Sequence, residues 1–245
     1  MISLKKKEKI WRLKEGIINI LKRLSNLIRG IFINFYWRNK FNNKFFDIQN
    51  SKWSTIPGSL TLRVKTSDLL KLNDQDLISE YEKLISGDLG SYRTFYRERY
   101  ILNSDAKSIL DLGCGLGRDG LFLAELGFKV TFADVINENI DLVKRICKLK
   151  KLECKFYKLN SFEDYSKLGH HDLIMAMGSL HHNPKEITKK IITIMQKKSL
   201  IPNTKFLILS YPFNRWYNDL CKPFSEWGEN TDGWAPWTEY YNKKK

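Results

Sequence analysis

From Ala106 onward, apolar runs of strand length alternate with helical stretches, and this alternation restricts the chain to an α/β fold on a parallel sheet. The strand-length runs fall at 108–112, 129–133, 154–158, 172–177 and 205–211. Helical patterns at 118–126, 137–150 and 184–198 and a shorter turn near 161–168 lie between them. Short links between alternating elements force each helix to cross back over the sheet, so neighbouring strands run parallel with helices on both faces. The expectation is a doubly wound, Rossmann-like, mostly parallel sheet. Ligands on such sheets sit at the carboxyl ends of the strands, and the chemistry is sought there.

The first hundred residues read differently. Ile10, Leu13, Ile17, Ile20, Leu24, Leu27 and Ile31 recur at helical spacing and form one apolar stripe, with Lys9, Lys22, Arg23 and Arg29 outside it. Residues 32–60 are rich in aromatics and Asn, show no clear period, and end in the turn Pro57-Gly58. Helical patterns follow over 67–86, where Ser67-Asp68 and Asn73-Asp74 offer caps, and over 92–100. The division expected is a basic helical extension over 1–66 and an α/β domain over 67–245. Of the formal charge of +15, residues 1–50 contribute nine, from twelve Lys and Arg against three acids. The basic excess therefore belongs mainly to the extension.

Cys114, Cys147, Cys154 and Cys221 form no CxxC pair and lack His at zinc-finger spacing, so no metal site is expected. Reduced thiols are the default. No signal-peptide pattern is visible, and the apolar run 30–37 is too short to span a bilayer. A cytoplasmic protein is expected, with membrane-surface contact through the extension left open.

The first strand, Ser-Ile-Leu-Asp-Leu, opens into Gly113-Cys-Gly115-Leu-Gly117-Arg-Asp-Gly120 and then a helix. Glycines allow a sharp turn and close approach of backbone to a ligand, and the helix start presents unpaired N–H groups. The loop also satisfies GxGxxG, a dinucleotide pattern. That reading would carry the first strand through Gly113 and bury Asp111 inside it, at a cost unless the acid is paired. Placing Asp111 at the strand's end avoids this.

Asp111-x-Gly113-x-Gly115-x-Gly117 resembles motif I of class I S-adenosylmethionine-dependent methyltransferases. The resemblance implies S-adenosyl-L-methionine as cofactor. The loop of Gly113, Cys114, Gly115 and Gly117 would hold its methionine part, with Asp111 near the ammonium. Asp134, at the end of the second strand and 23 residues beyond Asp111, would accept hydrogen bonds from the ribose hydroxyls, with Val135 beside it. Asn160 and Ser161, after the third strand, would face the adenine. Gly178 opens the loop after the fourth strand, Met177-Gly-Ser-Leu-His-His-Asn-Pro184. Leu-His-His after this strand is common in methyltransferases of small molecules. There His181 is the expected general base and His182 a structural residue. Asp119 is expected to cap the first helix.

The tail, Trp227-Gly-Glu-Asn-Thr-Asp-Gly233 and Pro236-Trp-Thr-Glu-Tyr-Tyr241, resembles bacterial class I enzymes associated with surface glycans or small metabolites. A full class I sheet has seven strands, and the sequence after Tyr211 shows no two further strand patterns. The domain is therefore expected to be truncated at its C-terminus. The expected reaction is methyl transfer to an oxygen, or secondarily a nitrogen, of a small molecule or sugar. Two alternatives stand beside it: an RNA or protein methyltransferase using the basic extension, and a non-catalytic interaction protein. The helical stripe suits self-association or a membrane surface. Without a recognised RNA-binding module, its charge is a weak argument for nucleic acid.

Overall fold

The computed structural model describes residues 16–17, 20–21, 24, 39–40, 42–53, 64–86, 98–198 and 204–209. The sheet has five parallel strands: β1 (Ser108–Leu112), β2 (Lys129–Asp134), β3 (Lys155–Lys158), β4 (Leu173–Met177) and β5 (Lys205–Leu209). Their order is β3-β2-β1-β4-β5, with β1 paired to β2 and β4 in parallel register. The winding reverses between β1 and β4. A crevice opens at such a switch point because the loops leaving the two strands diverge to opposite faces.

The helices are α1 (Phe45–Trp53), α2 (Thr66–Leu70), α3 (Asp74–Ser86), α4 (Arg118–Glu125), α5 (Asn137–Leu149) and α6 (Lys185–Lys198). A 3-10 segment, Phe162–Lys167, follows β3, and a short 3-10 turn, Leu180–His182, follows β4. The Rossmann-like expectation holds, and the strand bounds agree to within a residue or two. The last strand is described to Leu209, and residues 210–245, including the tail motifs and the expected truncation, lie outside the described residues.

Side chains alternate strictly across the sheet, as a period of two requires. Ile109, Val130, Phe132, Leu173, Met175 and Met177 meet Leu69, Leu77, Tyr81, Leu121 and Ile140 on one face. Leu110, Leu112, Ala133, Ile174 and Ala176 meet Phe45, Ile48, Tyr165, Ile187, Ile191 and Met195 on the other. Strands buried on both faces read as the continuous apolar runs seen in the sequence.

Two local readings change. The helical pattern over 67–86 is two helices, because Lys71 and Leu72 form a turn between α2 and α3. Arg145 of α5 fixes that turn, donating to the carbonyls of Leu70 and Leu72 (3.0 and 2.7 Å) and to Asp74. Residues 45–53, without a period by eye, form α1. Phe45 stacks on Phe162 at 5.6 Å, and Phe46 meets the same ring edge-on at 5.1 Å. Lys190 of α6 sits 3.7 Å over the centre of Phe162. Aromatic packing, rather than an aliphatic stripe, holds this helix. Of the 92–100 pattern, residues 98–100 belong to a single π turn, Glu98–Leu102. In the stripe, residues 16–17, 20–21 and 24 are helical, with Ile17, Ile20 and Leu24 exposed. The other stripe positions lie outside the described residues. Among the described residues no helix is long and apolar enough to cross a membrane.

Candidate functional site

The crevice at the switch point is an open cleft. Three strand ends and α1 build it. From β1 come Asp111, Leu112, Gly113, Cys114 and Gly115; from β2 come Asp134, Val135 and Ile136; from β4 come Met177 through Leu180, His182 and Asn183. Arg118, Asp119 and Asn139 extend the wall on one side, and Phe45, Gln49, Leu159 and Tyr165 on the other.

The glycine loop takes its shape from backbone that an L side chain rarely adopts. Gly113, Gly115 and Gly178 have φ of 72°, 55° and 81°. Gly113 also lies against Ser179, whose Oγ would be 2.8 Å from a Cβ at that position. Ser179 Oγ donates to the Leu112 carbonyl at 2.6 Å, tying the β4 loop to the end of β1. Gly120 leaves room for Asp111, whose Oδ2 would be 2.7 Å from a Cβ there. A buried acid in β1 is therefore accommodated by a missing side chain on α4.

Asp134 organises the loop around its own carboxylate. Oδ2 accepts from the Gly115 N–H at 2.8 Å and from Asn139 Nδ2 at 3.3 Å, and Oδ1 accepts from the Ile136 N–H at 2.8 Å. Asn139 in turn accepts from Thr66 Oγ1 at 2.7 Å, which links α2 to the site. Burial pushes the Asp134 carboxyl above its usual range, against the opposing pull of these hydrogen bonds. Burial, and then the Asp134 and Asp111 carboxylates, push the Cys114 thiol well up. A thiol kept protonated is a poor nucleophile.

The placement of the expected residues is mixed. Asp111, Gly113, Cys114, Gly115, Asp134, Val135 and Gly178 all line the cleft. Gly117 does not: in left-handed conformation it begins α4 and packs on Val143 and Leu121. Asn160 and Ser161 do not either. Asp164 draws both their backbone N–H groups onto its Oδ2, at 3.0 and 2.9 Å, and a capping box turns Ser161 toward the 3-10 segment. Leu159 and Tyr165 form that wall instead. The histidines exchange places. His181 is buried at 1% exposure and absent from the wall, whereas His182 lines it. The 3-10 turn decides this, since it points consecutive side chains in different directions. Asp119 lies in the first turn of α4, where it is buried and lines the cleft. Sequence reasoning passed over Phe45, Gln49, Arg118, Asn139 and Tyr165; their place in the wall depends on helices folding back over the strand ends. Among the described residues no group of three or more His, Cys, Asp or Glu could hold a metal ion.

A family model described as "Tellurite resistance protein TehB" matches residues 101–216, just under half of the chain. Solved structures similar to the chain include TehB from Haemophilus influenzae, at 21% identity over 48% of this chain and 45% of that one, with a TM-score of 0.40. PH0226 from Pyrococcus horikoshii OT3 is 21% identical over 53% of this chain and 57% of that one, with a TM-score of 0.40. PKMT2 from Rickettsia typhi in complex with AdoHcy is 26% identical over 46% of this chain and 22% of that one, with a TM-score of 0.39. The chain spans about half the length of the Haemophilus protein and less of PKMT2. No curated protein matches the chain by sequence. In motif and in strand order the chain is similar to class I methyltransferases.

Proposed function

We propose that the chain, class I methyltransferase-like in motif and fold, binds S-adenosyl-L-methionine in the cleft and transfers its methyl group to an oxygen of a small hydroxylated acceptor. The charge of the cleft carries the reading. Among the described residues, three buried acids, Asp111, Asp119 and Asp134, line it against one cationic side chain, Arg118. Such a wall suits a ligand with sulfonium and ammonium groups. A ligand of that kind brings an already activated methyl to the site, and the chain's residues bind, align and exclude water.

The carboxylates of Asp111 and Asp119 are assigned to the ammonium, and the glycine loop and Arg118 to the amino-acid carboxylate. Asp134 is assigned to the ribose hydroxyls, sharing its oxygens with the Gly115 and Ile136 N–H groups. Leu159 and Tyr165 supply an apolar wall for the adenine. As the new C–O bond forms and the S–C bond breaks, the electron pair remains on sulfur and the acceptor's proton must leave. His182 is the cleft side chain suited to take that proton near neutral pH. Tellurite, suggested by the family description, is an oxyanion and would meet this acidic wall unfavourably. The exposed Ile17, Ile20 and Leu24 are assigned to contact with a second copy or a membrane surface.

Calorimetric titration with S-adenosylmethionine and S-adenosylhomocysteine tests the reading. Micromolar binding is expected, weakened about tenfold or more in Asp134→Ala by loss of charge-assisted hydrogen bonds. No binding by the folded chain would overturn it.

A further inference from the structure

We propose that the amino-terminal stripe docks the chain on an anionic lipid surface, its apolar face entering the lipid and its Lys and Arg contacting the headgroups. Of the two partners assigned to this face, the observations favour the membrane over a second copy, whatever occupies the cleft.

Residues 16–17, 20–21 and 24 are helical. Ile17, Ile20, Leu21 and Leu24 stand at i, i+3, i+4 and i+7, so they share one face. They are 50%, 58%, 59% and 49% exposed, so the α/β domain leaves this face uncovered. A Cβ at Gly16 would meet nothing within 4 Å, so the helix is open there too. Four large aliphatic side chains on one exposed face mark a surface made for a partner.

The sequence around them indicates which partner. Read at the same helical period, Trp11, Ile18 and Ile28 fall beside the stripe with Leu21 and widen it to an arc of about 200°. A coiled-coil seam needs only a narrower, two-position stripe. The remaining arc carries Lys9, Arg12, Lys22, Arg23 and Arg29 against one acid, Glu15. A broad apolar face that includes a tryptophan, backed by a basic polar face, is the pattern of a helix lying in a membrane interface. Lys22 and Arg23 in mid-stripe would be costly at a bilayer centre and suit a helix lying on the surface.

A second copy fits this face less well. With Ile10, Ile17, Leu24 and Ile31 at one seam position and Leu13, Ile20 and Leu27 at the other, the flanking positions hold Lys9, Lys14 and Arg23 and no acid. Paired copies would gain no opposite-charge contact beside the seam, and a parallel pair would set Lys9 against Lys14. Anionic headgroups supply the opposite charge that a copy of this chain lacks there. Residues 1–50 carry twelve Lys and Arg against three acids, which concentrates the attraction at this end of the chain.

The test is vesicle flotation of the full chain. Vesicles of phosphatidylcholine with about a third phosphatidylglycerol are compared with pure phosphatidylcholine. Partitioning onto the anionic vesicles is expected to exceed that onto the neutral ones about tenfold or more, and to fall as salt rises from about 0.1 M to about 0.5 M. Ile20→Asp with Leu24→Asp should abolish flotation, because it sets two carboxylates in the apolar face. Lys22→Gln with Arg23→Gln should lower partitioning about tenfold by removing two headgroup contacts. This second pair keeps the apolar face and carries the test if thermal melts show that the first pair alters the fold. No flotation of the wild type, equal partitioning onto neutral vesicles, or variants that float like wild type would overturn the proposal. A dimer in sedimentation equilibrium that dissociates in Ile20→Asp with Leu24→Asp, without flotation of the wild type, would overturn it in favour of a second copy.

Discussion

At the scale of single residues, neighbouring side chains in one motif have separate tasks. His181 and His182 have ring centres 3.9 Å apart, yet one is packed inside and the other forms the cleft wall. The consequence is a contrast between two variants. With a small hydroxylated acceptor, His182→Ala should lower kcat by about a hundredfold or more, the range for a lost general base, and leave cofactor affinity unchanged. His181→Ala should chiefly lower the melting temperature, since it empties a buried site. Steady-state kinetics beside thermal melts would separate the two, and equal losses of kcat would contradict the assignment. The glycines divide in the same way: Gly113 and Gly115 shape the cleft, while Gly117 makes room for Val143 and Leu121.

At the scale of elements, the strands are clamped at the end opposite the cleft. Asp172, just before β4, accepts from the Lys107 and Ser108 N–H groups at 2.9 and 2.8 Å and from Ser108 Oγ at 2.9 Å. These donors, the backbone N–H groups foremost, hold its carboxyl below the usual range. An acid whose folded pKa is depressed contributes stability above its unfolded value, and that contribution is lost as pH falls through the folded value. Asp172→Asn should therefore melt below wild type at pH 7. The difference should shrink as pH drops below the ordinary 3.8. Thermal melts across an acid series would show this, and a gap independent of pH would mean that the charge is not what matters. The opposite end of the sheet is left to loops, which is why a ligand can enter there.

At the scale of the whole molecule, the two faces of the sheet reach the site by different routes. On one face, Thr66, Asn139 and Asp134 form a continuous hydrogen-bonded connection from α2 to the glycine loop. On the other, Phe45, Phe162 and Tyr165 connect α1 and the 3-10 segment to the opposite wall. A ligand filling the cleft therefore bridges two halves of the core. S-adenosylhomocysteine at about a hundred times its Kd should stabilise the chain by about 2.7 kcal/mol, a rise in melting temperature of roughly 5–10 °C for a protein of this size. Scanning calorimetry with and without the ligand would measure it, and an unmoved transition would argue against binding in the cleft.

The sequence by itself determined the strands, because runs buried on both faces must be apolar, and it determined the loop of Gly113 and Gly115 and the acids at the ends of β1 and β2, because these lie next to their strands in the chain. Tertiary structure alone decided the rest of the wall. Whether Asn160 and Ser161 or Leu159 and Tyr165 face the cleft depends on Asp164 capturing two backbone N–H groups, and which of two consecutive histidines faces inward depends on a three-residue turn. The helix bearing Phe45 and Gln49 is held by the ring of Phe162, more than a hundred positions away, a contact that no local period records. Periodicity reports which way a side chain points relative to its own element, whereas a site assembled from distant elements depends on how those elements pack.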